Sequence, residues 1–176
     1  MDQNTDIVRS KKPVVTEEPQ YDERTLQIDR VARVVRGGRR FRFRALVVVG
    51  DRKNHVGVGT SKGADVTAAV SKATNVAKKN MIKVPIYNFT IPHEIESKVS
   101  GARIILKPAS KGTGLIAGGV IRTILEVAGV GNILSKSLGS SNKTNTAYAT
   151  IKALSELKTA DKWITNQKKK TTKNKD

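Results

Sequence analysis

Seven arginines lie within fifteen residues of this 176-residue chain, around two adjacent glycines. A guanidinium group is planar, donates two hydrogen bonds to one phosphate and stacks on nucleobases. Glycine, which has no side chain, allows a nucleic-acid backbone to approach closely. The cluster predicts contact with RNA phosphates; the alternative is an exposed edge hairpin that its charge keeps soluble. Its members are Arg30, Arg33, Arg36, Gly37, Gly38, Arg39, Arg40, Arg42 and Arg44.

A second glycine-rich segment runs from Lys111 to Gly119. It matches the GxGxxA pattern of a dinucleotide-binding turn, but the acidic residue expected about 20 residues later is absent. The chain also lacks the GxxxxGK[ST] phosphate loop. Glycines before a helix present free N–H groups to an anion, and Lys107, Lys111 and Arg122 flank this segment. A polynucleotide phosphate would suit these donors as well as a nucleotide would; a purely structural strand-to-helix turn is the alternative.

No arrangement of residues predicts catalysis or metal binding. The chain has no cysteine, which excludes disulfides, zinc fingers and a cysteine nucleophile. His93 and Glu94 belong to no HExxH motif, and Ser140 is not in a GxSxG elbow. His55, at a strand start, is typical of a surface or half-buried histidine. We expect no enzymatic activity, no cofactor and no metal.

The net charge of +18 predicts a polyanionic partner, with nucleic acid as the first candidate. Residues 1–25 carry a net charge of −2, residues 26–160 of +16 and residues 161–176 of +4. No run of about 18 apolar residues exists, and the first ten residues lack the apolar core of a secretory signal. We therefore expect a cytoplasmic protein.

Period-two alternation on both sides of Gly37-Gly38 predicts a β-hairpin, with Phe41 and Phe43 in the core. A third strand is predicted over 55–60 and a helix over 64–80. The proline-containing stretch 81–95 is predicted to hold a strand and a linker. Beyond it, the pattern predicts strands over 102–106 and 132–137. It also predicts helices over 120–127 and 142–157. The fold class is α+β.

Four segments follow from these patterns. Residues 1–25 form a disordered or extended arm, 26–92 a first domain, 93–160 a second α/β domain, and 161–176 a basic tail. The tail either contacts a partner or only adds solubility. Because few aromatic residues exist, recognition of backbone and shape is favoured over base stacking. Further candidate RNA contacts are Arg52, Lys53, Lys62, Lys107 and Lys111.

Two stretches resemble a known family, the bacterial form of the fifth protein of the small ribosomal subunit (the S-five family). The first runs from Arg30 to Gly50. The second runs from Lys107 to Gly119 and continues through Arg122, the segment 126–130 and the segment 139–142. The similarity covers residues 26–157.

The resemblance implies a first domain similar to a double-stranded-RNA-binding fold without its leading helix, here a three-stranded antiparallel sheet plus a helix. It implies a second domain with a left-handed β-α-β crossover. Kinship of that second fold with some kinases imports no kinase activity.

The resemblance also implies a function and partners. The family binds small-subunit ribosomal RNA, lines the messenger RNA entry channel, supports decoding accuracy and helps to open messenger RNA structure. It borders the fourth and eighth small-subunit proteins. Carried over, the interface with the fourth protein falls on Gly112, Gly114 and Arg122. The loop near the spectinomycin site is Ala32 with Arg36, Gly37 and Gly38.

Two departures from the family pattern affect details. Ala32 stands where many members have serine, which bears on the drug response. Lys111 stands where an acidic residue is common, which bears on local contacts. Composition alone leaves two alternatives open, a free RNA-binding regulator or chaperone and a nucleotide-dependent enzyme that uses Gly112–Gly119.

Overall fold

A computed structural model describes residues 20–159. The predicted tail 161–176 and most of the predicted arm lie outside this range. Within it, a first sheet has the order β1-β2-β3-β4 with antiparallel neighbours. Its strands are β1 (Asp22–Val35), β2 (Gly38–Gly50), β3 (His55–Gly63) and β4 (Ile82–Lys83).

The helix α1 (Val66–Lys79) packs on one face of this sheet along a seam of small residues. Ala69, Ala73 and Ala77 are fully buried on the helix. A Cβ placed on Gly57 or Gly59 of β3 would collide with backbone atoms of α1. Alanines and glycines therefore let the helix and the strand approach more closely than larger side chains would allow.

The second domain has a sheet of order β5-β6-β8-β7 with two helices on one face. Its strands β5 (Ile95–Val99), β6 (Ala102–Pro108) and β8 (Ile133–Gly139) are antiparallel neighbours. β7 (Leu115–Ile116) pairs parallel with β8, and α2 (Gly119–Ala128) connects the two. This β7-α2-β8 connection is a β-α-β unit. The helix α3 (Lys143–Glu156) follows β8, and its N-cap Asn142 accepts a hydrogen bond from Thr144 N.

One hydrophobic core joins the two domains. Leu46 and Val58 of the first sheet belong to the same buried cluster as Ile104 of β6, Leu125 of α2 and Leu154 of α3. Because α2 and α3 contact strands of both sheets, the layers are α1, the first sheet, the α2–α3 pair and the second sheet. The first sheet is thus covered on both faces over half of β2, where residues 45–50 are all buried.

Hydrogen bonds lock the turn between β2 and β3 onto the C-terminus of α2. Arg52 N donates to Val127 O at 3.1 Å and Asn54 N donates to Ala128 O at 3.2 Å. These bonds satisfy carbonyl groups that a helix end leaves free. Gly129 ends the helix with φ +88°, a left-handed conformation that glycine adopts without strain. A Cβ there would also meet Arg52 O, so the site admits only glycine.

The structure differs from the sequence predictions in four places. β1 begins at Asp22, so residues 22–25 are strand rather than part of a disordered or extended arm. The first sheet has four strands instead of three, because the strand predicted within 81–95 is the two-residue β4 and pairs with β3. The hairpin turns at Arg36-Gly37, since Val35 pairs with Gly38. The two-residue strand β7 and the five-residue strand β5 were not predicted, because neither has a clear periodic signal of its own.

Candidate nucleic-acid interface

The outer end of the β1–β2 hairpin projects beyond the packed body of the protein. Every residue from 32 to 42 is exposed, whereas residues 45–50 of β2 are buried. We call residues 32–42 the distal hairpin. No helix of residues 20–159 covers it, so both of its faces are open within this range.

One face of the distal hairpin is a groove lined by cations. Register places Arg33 directly opposite Arg40, Val31 opposite Arg42 and Arg44 opposite Lys62 of β3. Like charges directly opposite each other on a sheet are destabilising. An anion between them would remove that cost. We call this surface the basic groove; it is lined by Val31, Ala32, Arg33, Val35, Arg40, Arg42 and Lys62.

The opposite face carries an arginine stacked on an aromatic ring. The guanidinium carbon of Arg30 lies 3.8 Å from the centre of the Phe41 ring. Phe41 is 46% exposed, so its predicted place in the core is wrong, while Phe43 packs against the buried cluster beneath α1. The period-two pattern correctly placed Phe41 and Phe43 on the face of β2 that packs against α1. However, α1 covers that face only along the buried half of β2. Stacking holds the Arg30 side chain against the ring.

Arg44 differs from its neighbours because it has an acidic partner. Its Nη2 and Nε donate to Asp29 Oδ2 at 2.7 and 3.2 Å. Hydrogen bonds from Arg44, and then from Gln27, lower the pKa of Asp29, and the positive charge of Lys143 adds to this effect. Lys143 begins α3, so it adds a cation near the hairpin that sequence reasoning missed; no local pattern connects residue 143 with residue 29.

Arg52 and Lys53 are not part of this surface. They lie in the turn after β2, at the end of that strand opposite to the distal hairpin. Arg52 donates to Asp22 Oδ2 at 2.6 Å, and Arg24 in turn donates to Glu126 of α2 at 2.9 and 3.0 Å. Arg52 therefore ties β1 to the locked turn, whereas the exposed Lys53 makes no ion pair with any carboxylate of residues 20–159.

The glycine-rich loop does not offer free N–H groups at its two positive-φ glycines. Gly112 N and Gly114 N both donate to the side-chain oxygen of Asn132, at 3.1 and 3.0 Å. The expectation that these donors face an anion is therefore wrong for both glycines. Asn132 is largely buried and was missed in the sequence, because it lies 18 to 20 residues away from the glycines that it binds.

The other candidate residues of the second domain are spread over its surface. Lys107 pairs with Glu94 at 3.0 Å, and Lys111 is exposed beside Gly112. Arg122 is exposed on α2, with no carboxylate partner among residues 20–159. The helix begins after Gly118, which provides no side-chain cap. The structure thus brings together the hairpin arginines and Lys62, and it places Lys107, Lys111 and Arg122 at separate positions on the second domain.

Within residues 20–159 no group of three or more histidine, aspartate or glutamate side chains could hold a metal ion. His55 lies 2.7 Å from Asp51 at the locked turn, and His93 Nε2 accepts from Lys158 N. Among the helices of the described range, none is long and apolar enough to cross a membrane.

Two family profiles match the chain. The profile of "Ribosomal protein S5, N-terminal domain" matches residues 21–85, and that of "Ribosomal protein S5, C-terminal domain" matches residues 97–168. The chain belongs to the ribosomal protein S5 family. The curated protein "Small ribosomal subunit protein uS5" of Thermus thermophilus is 55% identical to it over 142 residues, which are 81% of this chain and 88% of the relative. The proteins from two strains of that organism give the same values.

Family membership confirms the resemblance seen in the sequence and the two-domain α+β fold that it implied. The first profile ends within two residues of β4, and the second begins two residues into β5. The predicted domain boundary at residue 92 falls between the two profiles and stays a prediction. The family consists of small-subunit ribosomal proteins. Membership therefore implies RNA binding and a role in translation.

Proposed function

We propose that this chain is a structural constituent of the small ribosomal subunit, in the cytoplasm, and binds small-subunit ribosomal RNA through the basic groove. The observation that carries the proposal is the direct opposition of Arg33 and Arg40, which no carboxylate of residues 20–159 neutralises. Phosphates of a folded RNA would relieve this repulsion and accept bidentate hydrogen bonds. The exposed turn at Gly37 leaves room for an RNA backbone, since no atom lies within 4 Å of a Cβ built there.

The proposal extends to the position of the protein in the subunit. The distal hairpin would lie in ribosomal RNA near the spectinomycin site, with Ala32 and Arg36–Gly38 as the residues at that loop. The protein would line the messenger RNA entry channel. It would support decoding accuracy through an interface with the fourth small-subunit protein at Gly112, Gly114 and Arg122. The exposed Arg122 and the exposed Ile116 beside the glycine-rich loop are available for that contact. The eighth small-subunit protein would be a second neighbour.

The test replaces four arginines of the distal hairpin, Arg33, Arg36, Arg40 and Arg42, by glutamine. The affinity of the full chain for small-subunit ribosomal RNA is then measured at several salt concentrations. Each phosphate contact that is lost should flatten the slope of log K against log salt by about 0.7–0.9. For the variant with all four substitutions, we expect the slope to flatten by about 3. The loss of affinity should be greatest at low salt.

A matched control removes four lysines elsewhere, namely Lys72, Lys79, Lys98 and Lys136, by substitution with glutamine. These residues are exposed on α1 and on the second sheet, and the change in net charge is the same. If both variants lost affinity and slope equally, binding would depend on net charge alone. The proposed role of the basic groove would then be wrong.

We infer that the chain has no catalytic activity. A nucleotide-dependent enzyme would need the glycine N–H groups that Asn132 occupies, so binding of free ATP or NAD is not expected. A free RNA regulator would bind RNA equally well outside the ribosome, and sedimentation with small subunits in high-salt gradients separates that case from the proposed one.

A further inference from the structure

A strained turn with two exposed aromatic side chains lies between the two domains, at Tyr87–Thr90. Tyr87 and Thr90 exchange backbone hydrogen bonds, both of 2.9 Å. The central residues Asn88 and Phe89 have φ values of +49° and +61°. Asparagine tolerates this left-handed region, but for a bulky residue such as phenylalanine it is a genuine outlier.

The rest of the molecule holds this turn in place. Phe89 O accepts hydrogen bonds from Gly131 N at 2.8 Å and from Asn132 N at 2.9 Å. Thr90 Oγ1 accepts from Ala109 N at 3.2 Å. The turn is therefore attached to the glycine-rich loop, because Asn132 also binds the N–H groups of that loop. Such anchoring is what allows a strained conformation to persist.

The two aromatic side chains contribute little to the core. Tyr87 is 68% exposed and Phe89 is 67% exposed, the highest values among the aromatic residues of the described range. Glycine at position 89 would adopt the same backbone conformation without strain. A phenylalanine there costs stability and buries little apolar surface in return. The ring is consequently available for contact with a partner outside the chain.

We propose that Tyr87 and Phe89 form a stacking site for unpaired bases of single-stranded RNA. Every base has a π-face that stacks on an aromatic ring, so such a site needs no particular sequence. Two exposed lysines belong to the segments joined at this turn: Lys83 lies four residues before Tyr87, and Lys111 precedes Gly112 in the loop that Asn132 links to Phe89. Exposed rings on segments that also carry lysines favour a nucleic-acid strand, whose bases stack and whose phosphates are anionic, over a protein surface. This site would add an aromatic contact to the recognition of backbone and shape, and the inference rests on the proposed RNA-binding function.

The test uses Phe89→Gly in the full chain, with oligouridylate and oligoadenylate of ten nucleotides as probes. The substitution removes one stacking surface and the backbone strain together. We expect the affinity for both probes to fall about tenfold, as for the loss of one stacked base. The salt slope should not change because no phosphate contact is lost. The midpoint of thermal unfolding should rise, whereas removing a structural side chain would lower it.

Two further variants separate the ring from other effects. Tyr87→Phe keeps a stacking surface and should retain the affinity of the parent, while Tyr87→Leu should lose it. If Phe89→Gly bound both probes as tightly as the parent, the inference would be wrong. A variant that kept its affinity for RNA but lost affinity for small-subunit proteins would show that the two rings contact protein instead. The proposed function would stand in that event, since it is tested by the distal hairpin variant and structured ribosomal RNA.

Discussion

At the scale of single residues, the partner across the hairpin decides what each arginine can do. Arg40 faces Arg33 and has no carboxylate partner among residues 20–159, whereas Arg44, on the same face of the same strand, faces Asp29 and pairs with it. We therefore expect Arg40 to gain more from an RNA phosphate than Arg44, whose charge is already neutralised. This contrast follows from register, because side chains directly opposite each other share a face.

Asp22 provides a prediction about pH. Hydrogen bonds from Arg52, opposed by partial burial and helped by Arg24, lower its pKa below the ordinary value. The ionised carboxylate therefore stabilises the fold above the unfolded-state pKa of about 3.9, and this contribution is lost as the pH falls through the lower folded-state pKa. Asp22→Asn should reduce the free energy of unfolding at pH 7 by about 1 kcal/mol or less, since Arg52 is more than half exposed. Urea denaturation of the parent and of the variant at several pH values between 7 and 3 measures this difference in the free energy of unfolding.

The control for this prediction is the cycle formed with Arg52→Gln. The coupling energy between Asp22 and Arg52 should be favourable at pH 7 and shrink toward zero as the carboxylate takes up its proton. A coupling that is independent of pH would show that the ion pair is not its source.

Part of the residue-level detail was within reach of the sequence. Once Val35 is placed opposite Gly38, a hairpin of regular register puts Arg33 opposite Arg40 and Asp29 opposite Arg44. The contact of Asn132 with Gly112 and Gly114 was not within reach, because it depends on how β8 and the glycine-rich loop pack together. The exposure of Phe41 could not be predicted either, because alternation does not reveal where a covering helix ends.

At the scale of elements, periodic patterns predicted the helices and the long strands to within a few residues. The predicted helix 64–80 is α1 at Val66–Lys79, and the predicted helix 120–127 is α2 at Gly119–Ala128. The strands β4 and β7 have two residues each, which is too short for any alternation to appear. They exist because neighbouring strands and the connecting helix bring them to a sheet edge.

The seam between α1 and β3 predicts a strong effect of one methyl group. A Cβ at Gly59 would lie 2.5 Å from Ala77 N and collide with Ala73 O. Because both are backbone atoms, the helix has to move away from the sheet. Gly59→Ala should lower the free energy of unfolding by about 2–3 kcal/mol, as measured by urea denaturation.

Gly37→Ala is the matched control for that substitution. Nothing lies within 4 Å of its Cβ position, and the residue does not have positive φ. We expect a change within about 1 kcal/mol. Equal destabilisation by the two substitutions would mean that close packing of α1 is not the reason for the glycine in β3.

At the scale of the whole molecule, two domains with a shared core carry the exposed, cationic distal hairpin. The shared core, the locked turn after β2 and the Arg24–Glu126 ion pair fix the two domains to each other. The distal hairpin has no such support from the residues that the structure describes, and it concentrates arginines beyond the core. Five of the 23 basic residues of the segment 26–160 lie within these eleven residues, so the distal hairpin carries a locally dense positive charge that a folded RNA could enclose.

The most direct test of this account is retention on the ribosome. Small subunits lacking this protein are reconstituted with the full chain or with the variant in which Arg33, Arg36, Arg40 and Arg42 are glutamine. The amount of each protein that sediments with the subunit in a high-salt gradient is then measured. We predict that the parent chain sediments with the subunit in a one-to-one ratio and that most of the variant is lost from it. Equal retention of both proteins, or failure of the parent chain to sediment with the subunit, would contradict the account.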